Sequence, residues 1–260
     1  MISSNFVDAI PLWSLYLITA AIVLLSIEAG WRLGDYRRRR HPEENKAPVG
    51  AAVGATLGLL AFLLAFTFGL AANRFDNRKQ IVLQEANAIG TTFLRADFLP
   101  AEAREETRSL LRQYAALRAG GASVILSQQG MTRTGALQDQ LWTIAAKAGT
   151  ATDSVATGLF IQSLNEMIDV DALRVTALQN RIPDTIWFML FAVTIFSMIA
   201  LGYQFGLTGA HSWATTIFLV LVFTPVILLI ADLDRPQSGW LLVSQQPLID
   251  LISRIGAPLP

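Results

Sequence analysis

The sequence predicts an all-α, multi-pass membrane protein: four transmembrane helices, with a helical extramembrane domain between the second and the third. Three observations carry the prediction. Of 260 residues, 53% are hydrophobic and only 15% charged, with mean hydropathy +0.45, a balance too apolar for a water-soluble domain of this length. Four stretches, 12–31, 49–72, 185–203 and 213–231, are each long and apolar enough to reach across a hydrocarbon core of ~30 Å. Between the second and third of these, apolar residues recur at helical spacing through to Pro183. The expected layout is therefore 1–72 for the first two spans and their connecting loop, 73–183 for the helical domain, 184–231 for the last two spans and 232–260 for a tail.

Composition also excludes several kinds of chemistry. Lys plus Arg and Asp plus Glu are equal at 20 each, so bulk charge gives no reason to expect a nucleic-acid partner. There is no cysteine, hence no disulfide and no thiolate metal site, and the two histidines, His41 and His211, both fall in short loops between apolar spans. No phosphate-binding glycine loop, His-Glu-x-x-His or Gly-x-Ser-x-Gly pattern occurs. No catalytic residue, metal or cofactor is expected.

The first span carries Trp13, Tyr16 and Trp31 near its ends, as interfacial aromatics do, and no Lys or Arg precedes it as in a cleaved signal. Its one ionisable residue, Glu28, stands four residues before Arg32, the favourable order for a helical ion pair. Arg37, Arg38, Arg39 and Arg40 follow, with Lys46 beyond them. Such a juxtamembrane cluster is a topology signal for the cytoplasmic side or a site for anionic lipid headgroups. Taken alone it places this loop in the cytoplasm and the helical domain outside. Arg74, Arg78, Lys79, Arg174, Arg181 and Arg235 flank the membrane on the opposite side, which weakens the charge rule here and leaves the sidedness open.

The second span is the centre of the sequence, because it does not stop at Ala72. Residues 73–79 contain neither Gly nor Pro, and Ile81, Val82, Glu85, Ala86, Ala88 and Ile89 keep the helical period to Gly90. One helix is expected to leave the membrane and continue into water. Gly50, Gly54 and Gly58 fall at i, i+4 and i+8, a stripe that permits close helix packing. A second stripe, Leu59, Phe62, Phe66, Gly69 and Asn73, places two aromatic rings one turn apart. In a ring of such helices this face would form an apolar neck that gates by dewetting.

Beyond Pro100, residues 101–118 form a helix with Glu102, Glu105 and Glu106 near its start, and Gly120-Gly121 ends it. Residues 122–133 read equally as loop or short helix. Helices follow over 134–147 and 155–182. Glu85 and Glu166 are acids in otherwise apolar helical runs. Arg78 and Arg174 are placed to make buried ion pairs with them if the helices pack side by side, with an ion pathway as the functional alternative. The third span starts after Pro183, Gly206, Gly209 and His211 mark a short loop, and the fourth contains Pro225, which a membrane helix tolerates. In the tail, Asp232, Asp234, Arg235 and Pro236 form a compact motif whose acids cap the last span or contribute to a hard-cation site, though two carboxylates do not make one alone.

Two of these stretches resemble a known family. Residues 64–69 running into 73–79 are similar to the pore helix of bestrophin channels. Asp232, Asp234, Arg235 and Pro236, with Gly239 and Pro247-Leu248, resemble the segment after the last bestrophin membrane helix. Glu85-Ala86-Asn87-Ala88-Ile89-Gly90-Thr91, Arg95, Leu99-Pro100 and Asp234-Arg235-Pro236 look like bacterial bestrophin-like membrane proteins, across nearly the whole chain. The resemblance implies a homo-oligomer, a pentamer, in the inner membrane, passing small ions along a pore lined by the second span, with Phe62 and Phe66 as its neck. It also implies a cytoplasmic helical domain, the reverse of the arginine-cluster reading. Phe75-Asp76 stands where that family has paired aromatics and Glu, and only Asp232 and Asp234 remain of the acidic cluster that holds calcium in animal bestrophins. The alternative is a non-conducting membrane module whose domain or basic loop binds a protein partner or anionic lipid. A carboxylate-based membrane enzyme ranks below both.

Overall fold

The computed structural model describes residues 10–41, 47–151, 154–209 and 212–257, so Lys46 and His211 lie outside the described residues. These residues are helical and contain no strand: α1 Leu12–Arg40, α2 Ala47–Arg95, α3 Ala101–Ala119, α4 Gly121–Ile125, α5 Gln128–Ala151, α6 Val155–Gln179, α7 Asp184–Thr208, α8 Trp213–Asp234 and α9 Gln246–Ile255. A single 3-10 turn, Ala96–Phe98, follows α2. Four of the helical stretches are long and apolar enough to cross a membrane, those carrying α1, α2, α7 and α8.

The chain divides into two compact units. The first holds Met1–Asn73 and Arg181–Leu241, the second Arg74–Asn180 and Leu242–Pro260. In the first unit, α1 buries Leu12, Leu15, Thr19, Val23, Ser26, Gly30 and Gly34, a row at three- and four-residue steps. This row lies against α7. A Cβ added at Gly30 would strike the carbonyl of Ile199 and the amide of Tyr203, and one at Gly34 the carbonyl of Tyr203 and the Cα of Gly206. From the other side, Gly202 lies on the backbone of Ile27, and Gly206 on that of Trp31 and Asp35. The two helices therefore meet backbone to backbone through a pair of Gly-x-x-x-Gly rows, as helices without a hydrophobic drive between them do. This explains why α7 runs through Gly206, which reads locally as part of a loop. The helix stops at Gly209, whose φ of +77° is a left-handed cap. Ser197 Oγ donates to the carbonyl of Thr56 at 3.2 Å, joining α7 to α2, and Trp187, Met198, Ile227 and Ile230 are fully buried.

The second unit packs like a soluble domain. Ile89 and Phe93 of α2, Leu111 and Tyr114 of α3, Leu141 of α5, Phe160, Leu164 and Met167 of α6, and Leu248 and Ile252 of α9 share one core. Its helix ends are capped locally. Pro100 precedes the first residue of α3, Ser127 Oγ accepts from the amide of Gly130 at 2.9 Å, and Ser154 Oγ accepts from that of Ala156 at 3.2 Å. The Ser127 cap starts α5 six residues before Thr134, and α4 occupies much of the stretch that sequence left open. Helix α9 was not foreseen. Pro247 falls in its first turn, Leu248, Ile252 and Ile255 are buried, and Arg112 Nε of α3 donates to the carbonyl of Ile255 at 2.8 Å.

Candidate functional site

Helix α2 is continuous from Ala47 to Arg95, 49 residues without a break. Its side within the first unit is clear: Val53, Leu60, Leu64, Thr67 and Ala71 are buried. On the other side Phe62 is 64% exposed, Phe66 55% and Leu59 50%, and Asn73 is exposed as well. The two rings stack with centroids 6.3 Å apart and planes 17° from parallel. Gly69 has open space where a side chain would be. Of the small-residue stripe, Gly50 faces the Gln204 side chain of α7, whereas a Cβ at Gly54 or Gly58 would meet nothing. The glycines that bring helices together within the chain are thus those of α1 and α7. Among the described residues, Gly54, Gly58 and the aromatic stripe stay exposed.

In the second unit α2 places Glu85 in the interior with no exposure at all. Its carboxylate pairs with Arg118 of α3 through one oxygen and with Arg174 of α6 through the other. Arg118 also reaches Asp171 at 2.6 Å, Asp171 accepts from Gln138 Nε2 of α5 at 2.9 Å, and Arg174 donates to the Gln245 side chain. Two arginines and two carboxylates thus compensate one another inside the core, the condition for burying charge at tolerable cost. Burial opposes the charge on Arg118, but Glu85, Tyr114 and Asp171 outweigh it and hold its pKa above the ordinary value. Burial likewise pushes the Tyr114 hydroxyl above the ordinary phenol range, against the pull of Arg118.

Glu85 and Arg174 are therefore brought together, and Glu166 is not: it is exposed and forms no ion pair among the described residues. Arg78 is buried on the Glu85 side of α2 and Arg74 half-buried. Arg118 was missed as a partner because it reads as a cation placed to complement the C-terminal end of α3. The available signal was its position seven residues after Leu111 and four after Tyr114, squarely on the buried face.

The remaining positions lie in the first unit. Arg37, Arg38, Arg39 and Arg40 form the last turn of α1. Asp35 pairs with Arg38 at 2.5 Å and Arg39 at 2.7 Å, and Arg40 stacks over Tyr36 at 4.6 Å. Asp232 accepts from the amides of Trp240 and Leu241 at 2.8 and 3.1 Å, closing the turn that contains Pro236 and Gly239. Asp234 accepts from the amide of Ile182 at 3.0 Å and from Arg181 Nε at 3.1 Å, and Arg235 donates to the carbonyl of Ile10 at 2.6 Å. Both carboxylates are buried and engaged by protein donors, and no cluster of three or more metal-binding side chains occurs among the described residues.

An all-helical chain with four apolar spans, one of which continues as a long helix into a second unit built around it, is a multi-pass membrane protein. The chain belongs to the Bestrophin-like family, whose domain matches residues 19–248, and its location is the cell (inner) membrane. A search of curated proteins gives no match. Among solved structures it is similar to a bacterial bestrophin homologue from Klebsiella pneumoniae, at 16% identity and TM-score 0.66 over 95% of this chain and 100% of that one. A single-substitution variant of that homologue gives TM-score 0.68 at 16% identity, covering 92% of this chain and 96% of the other. A third structure, described as a membrane protein, gives TM-score 0.66 at 14% identity, again over 92% and 96%. At these identities the likeness is one of fold.

Proposed function

We propose that the protein is an oligomeric membrane channel that passes small ions along a pore lined by α2, with Leu59, Phe62, Phe66, Gly69 and Asn73 facing the path and no catalytic role. The observation that carries this reading is the exposed face of α2, where Phe62 and Phe66 stack on each other and Gly54 and Gly58 stand open among the described residues. A ring of copies, a pentamer by family resemblance, would close small residues against neighbouring subunits and turn the phenylalanines toward the axis. A neck of that kind controls passage through wetting.

The test is ion flux from liposomes carrying the purified protein, comparing wild type with the Phe62→Ala/Phe66→Ala double variant. Flux that rises in the double variant is the expected result. No flux from either, in protein shown to be folded and inserted, would sink the channel reading and favour a module whose helical domain holds a partner or whose Arg37–Arg40 turn binds anionic lipid. Particle mass in native lipid gives an independent check, since a monomer or dimer cannot enclose a pore of this design.

A further inference from the structure

The exposed side of α2 continues past the aromatic neck. Each residue turns a helix by about 100°, so Asn73, Asp76, Gln80, Gln84, Asn87 and Thr91 all project within about 40° of the Phe62 direction. All six are exposed. The opposite side of the same helix carries the buried residues Arg78, Val82, Glu85 and Ile89. Because α2 is a single helix over this length, the register is not reset on the way.

The stripe has an unusual composition. Five of its six members are amides or a hydroxyl, groups that offer both donors and acceptors and so stand in for water around an ion of either sign. The sixth, Asp76, is the only charge. It forms no ion pair among the described residues. Lys79, the nearest exposed cation in sequence, projects about 60° further round the helix, and Arg74 about 160° away. Buried Arg118 and Arg174 of the second unit are compensated by Glu85 and Asp171.

We infer that Asp76 sets the sign of the ion carried: in a ring of α2 helices, one Asp76 carboxylate per subunit faces the path just beyond the neck and makes the channel select small inorganic cations over anions. An aromatic neck discriminates by size and dehydration, whereas a ring of carboxylates discriminates by charge. In a narrow passage with low-dielectric walls such a ring concentrates counter-ions well beyond what one surface charge does in bulk water. The inference rests on the α2-lined pore proposed above and assigns it a class of substrate.

The experiment is the reversal potential of single-channel currents under a KCl gradient, recorded from the full-length protein in the Phe62→Ala/Phe66→Ala background, so that the neck does not limit conduction. The parent is expected to reverse on the potassium side, Asp76→Asn to move toward zero, Asp76→Lys to cross to the chloride side, and Asp76→Glu to keep the parental value. All four are expected to elute alike in size-exclusion chromatography, since Asp76 is exposed. Currents whose reversal potential is the same in Asp76→Asn and Asp76→Lys as in the parent would overturn this inference and leave the pore in place. So would a parent that reverses on the chloride side. No current from any variant would overturn the pore itself, and the assignment with it.

Discussion

The two units solve the same problem, holding helices together, by opposite means. In the first, α1 and α7 meet through Gly30, Gly34, Gly202 and Gly206, with backbone touching backbone. In the second, large side chains such as Tyr114, Phe160, Leu141 and Met167 fill the space between helices, and a charged cluster around Glu85 sits inside that packing. The difference follows from the solvent. Lipid is as apolar as leucine, so burying a leucine between membrane helices gains little and close van der Waals approach has to supply the attraction. Where water is the solvent, each buried apolar side chain contributes about 1.5–3 kcal/mol, enough to offset the cost of burying a compensated charge network.

Three experiments sharpen this contrast. The largest effect is expected at the glycine seam. Gly202→Leu would drive a side chain into the backbone of Ile27, and no rotamer avoids it because the clash begins at Cβ. Loss of the monodisperse, detergent-extracted protein is the expected outcome, with Gly54→Leu, at an open position, extracting as wild type does but losing its oligomeric mass. If Gly202→Leu melts at the wild-type temperature, backbone contact is not what joins α1 to α7.

Next comes the charged core. Glu85→Ala leaves Arg118 and Arg174 buried without their shared carboxylate and should cost about 3–5 kcal/mol. Glu166→Ala, at an exposed site, should stay within about 0.5 kcal/mol. Both are read from denaturant unfolding of the helical unit followed by its tryptophan, Trp142. Equal effects would mean that the network adds nothing to stability.

The smallest effect concerns pH. The Tyr114 hydroxyl has a raised pKa in the fold, so the folded state holds that proton more tightly than the unfolded chain does. The corresponding stability is fully present below the unfolded value of about 10 and declines as pH rises beyond it. Tyr114→Phe should therefore flatten the alkaline loss of stability above about pH 10, with little change at neutral pH, where only the long 3.4 Å hydrogen bond from Gln138 is removed. An unchanged alkaline profile would show that other groups govern it.

Much of this architecture was legible in the sequence because it is local. Span length, the unbroken run from Val49 into Ile89, and the prolines at 100 and 183 each depend on neighbours a few residues away. What escaped depends on distant partners. Gly206 reads as a loop residue until α1, some 170 residues earlier in the chain, is laid against it. Arg118 reads as a helix-end cation until Glu85 and Asp171 arrive from α2 and α6. Helix α9 is too short to announce itself by period, and its three buried residues make sense only once α3 offers them a surface. The aromatic stripe of α2 was legible for the opposite reason: it stays exposed among the described residues, so its reading does not depend on a distant partner.

The α1–α7 seam also carries a hereditary consequence. Every one-base change of a glycine codon that alters the residue gives a stop codon or a residue with a Cβ, so no single-base amino-acid replacement at Gly30, Gly34, Gly202 or Gly206 preserves the spacing. A lineage cannot drift across this contact one gentle step at a time. It must keep all four positions, or move the two helices apart at once and rebuild what lies between them.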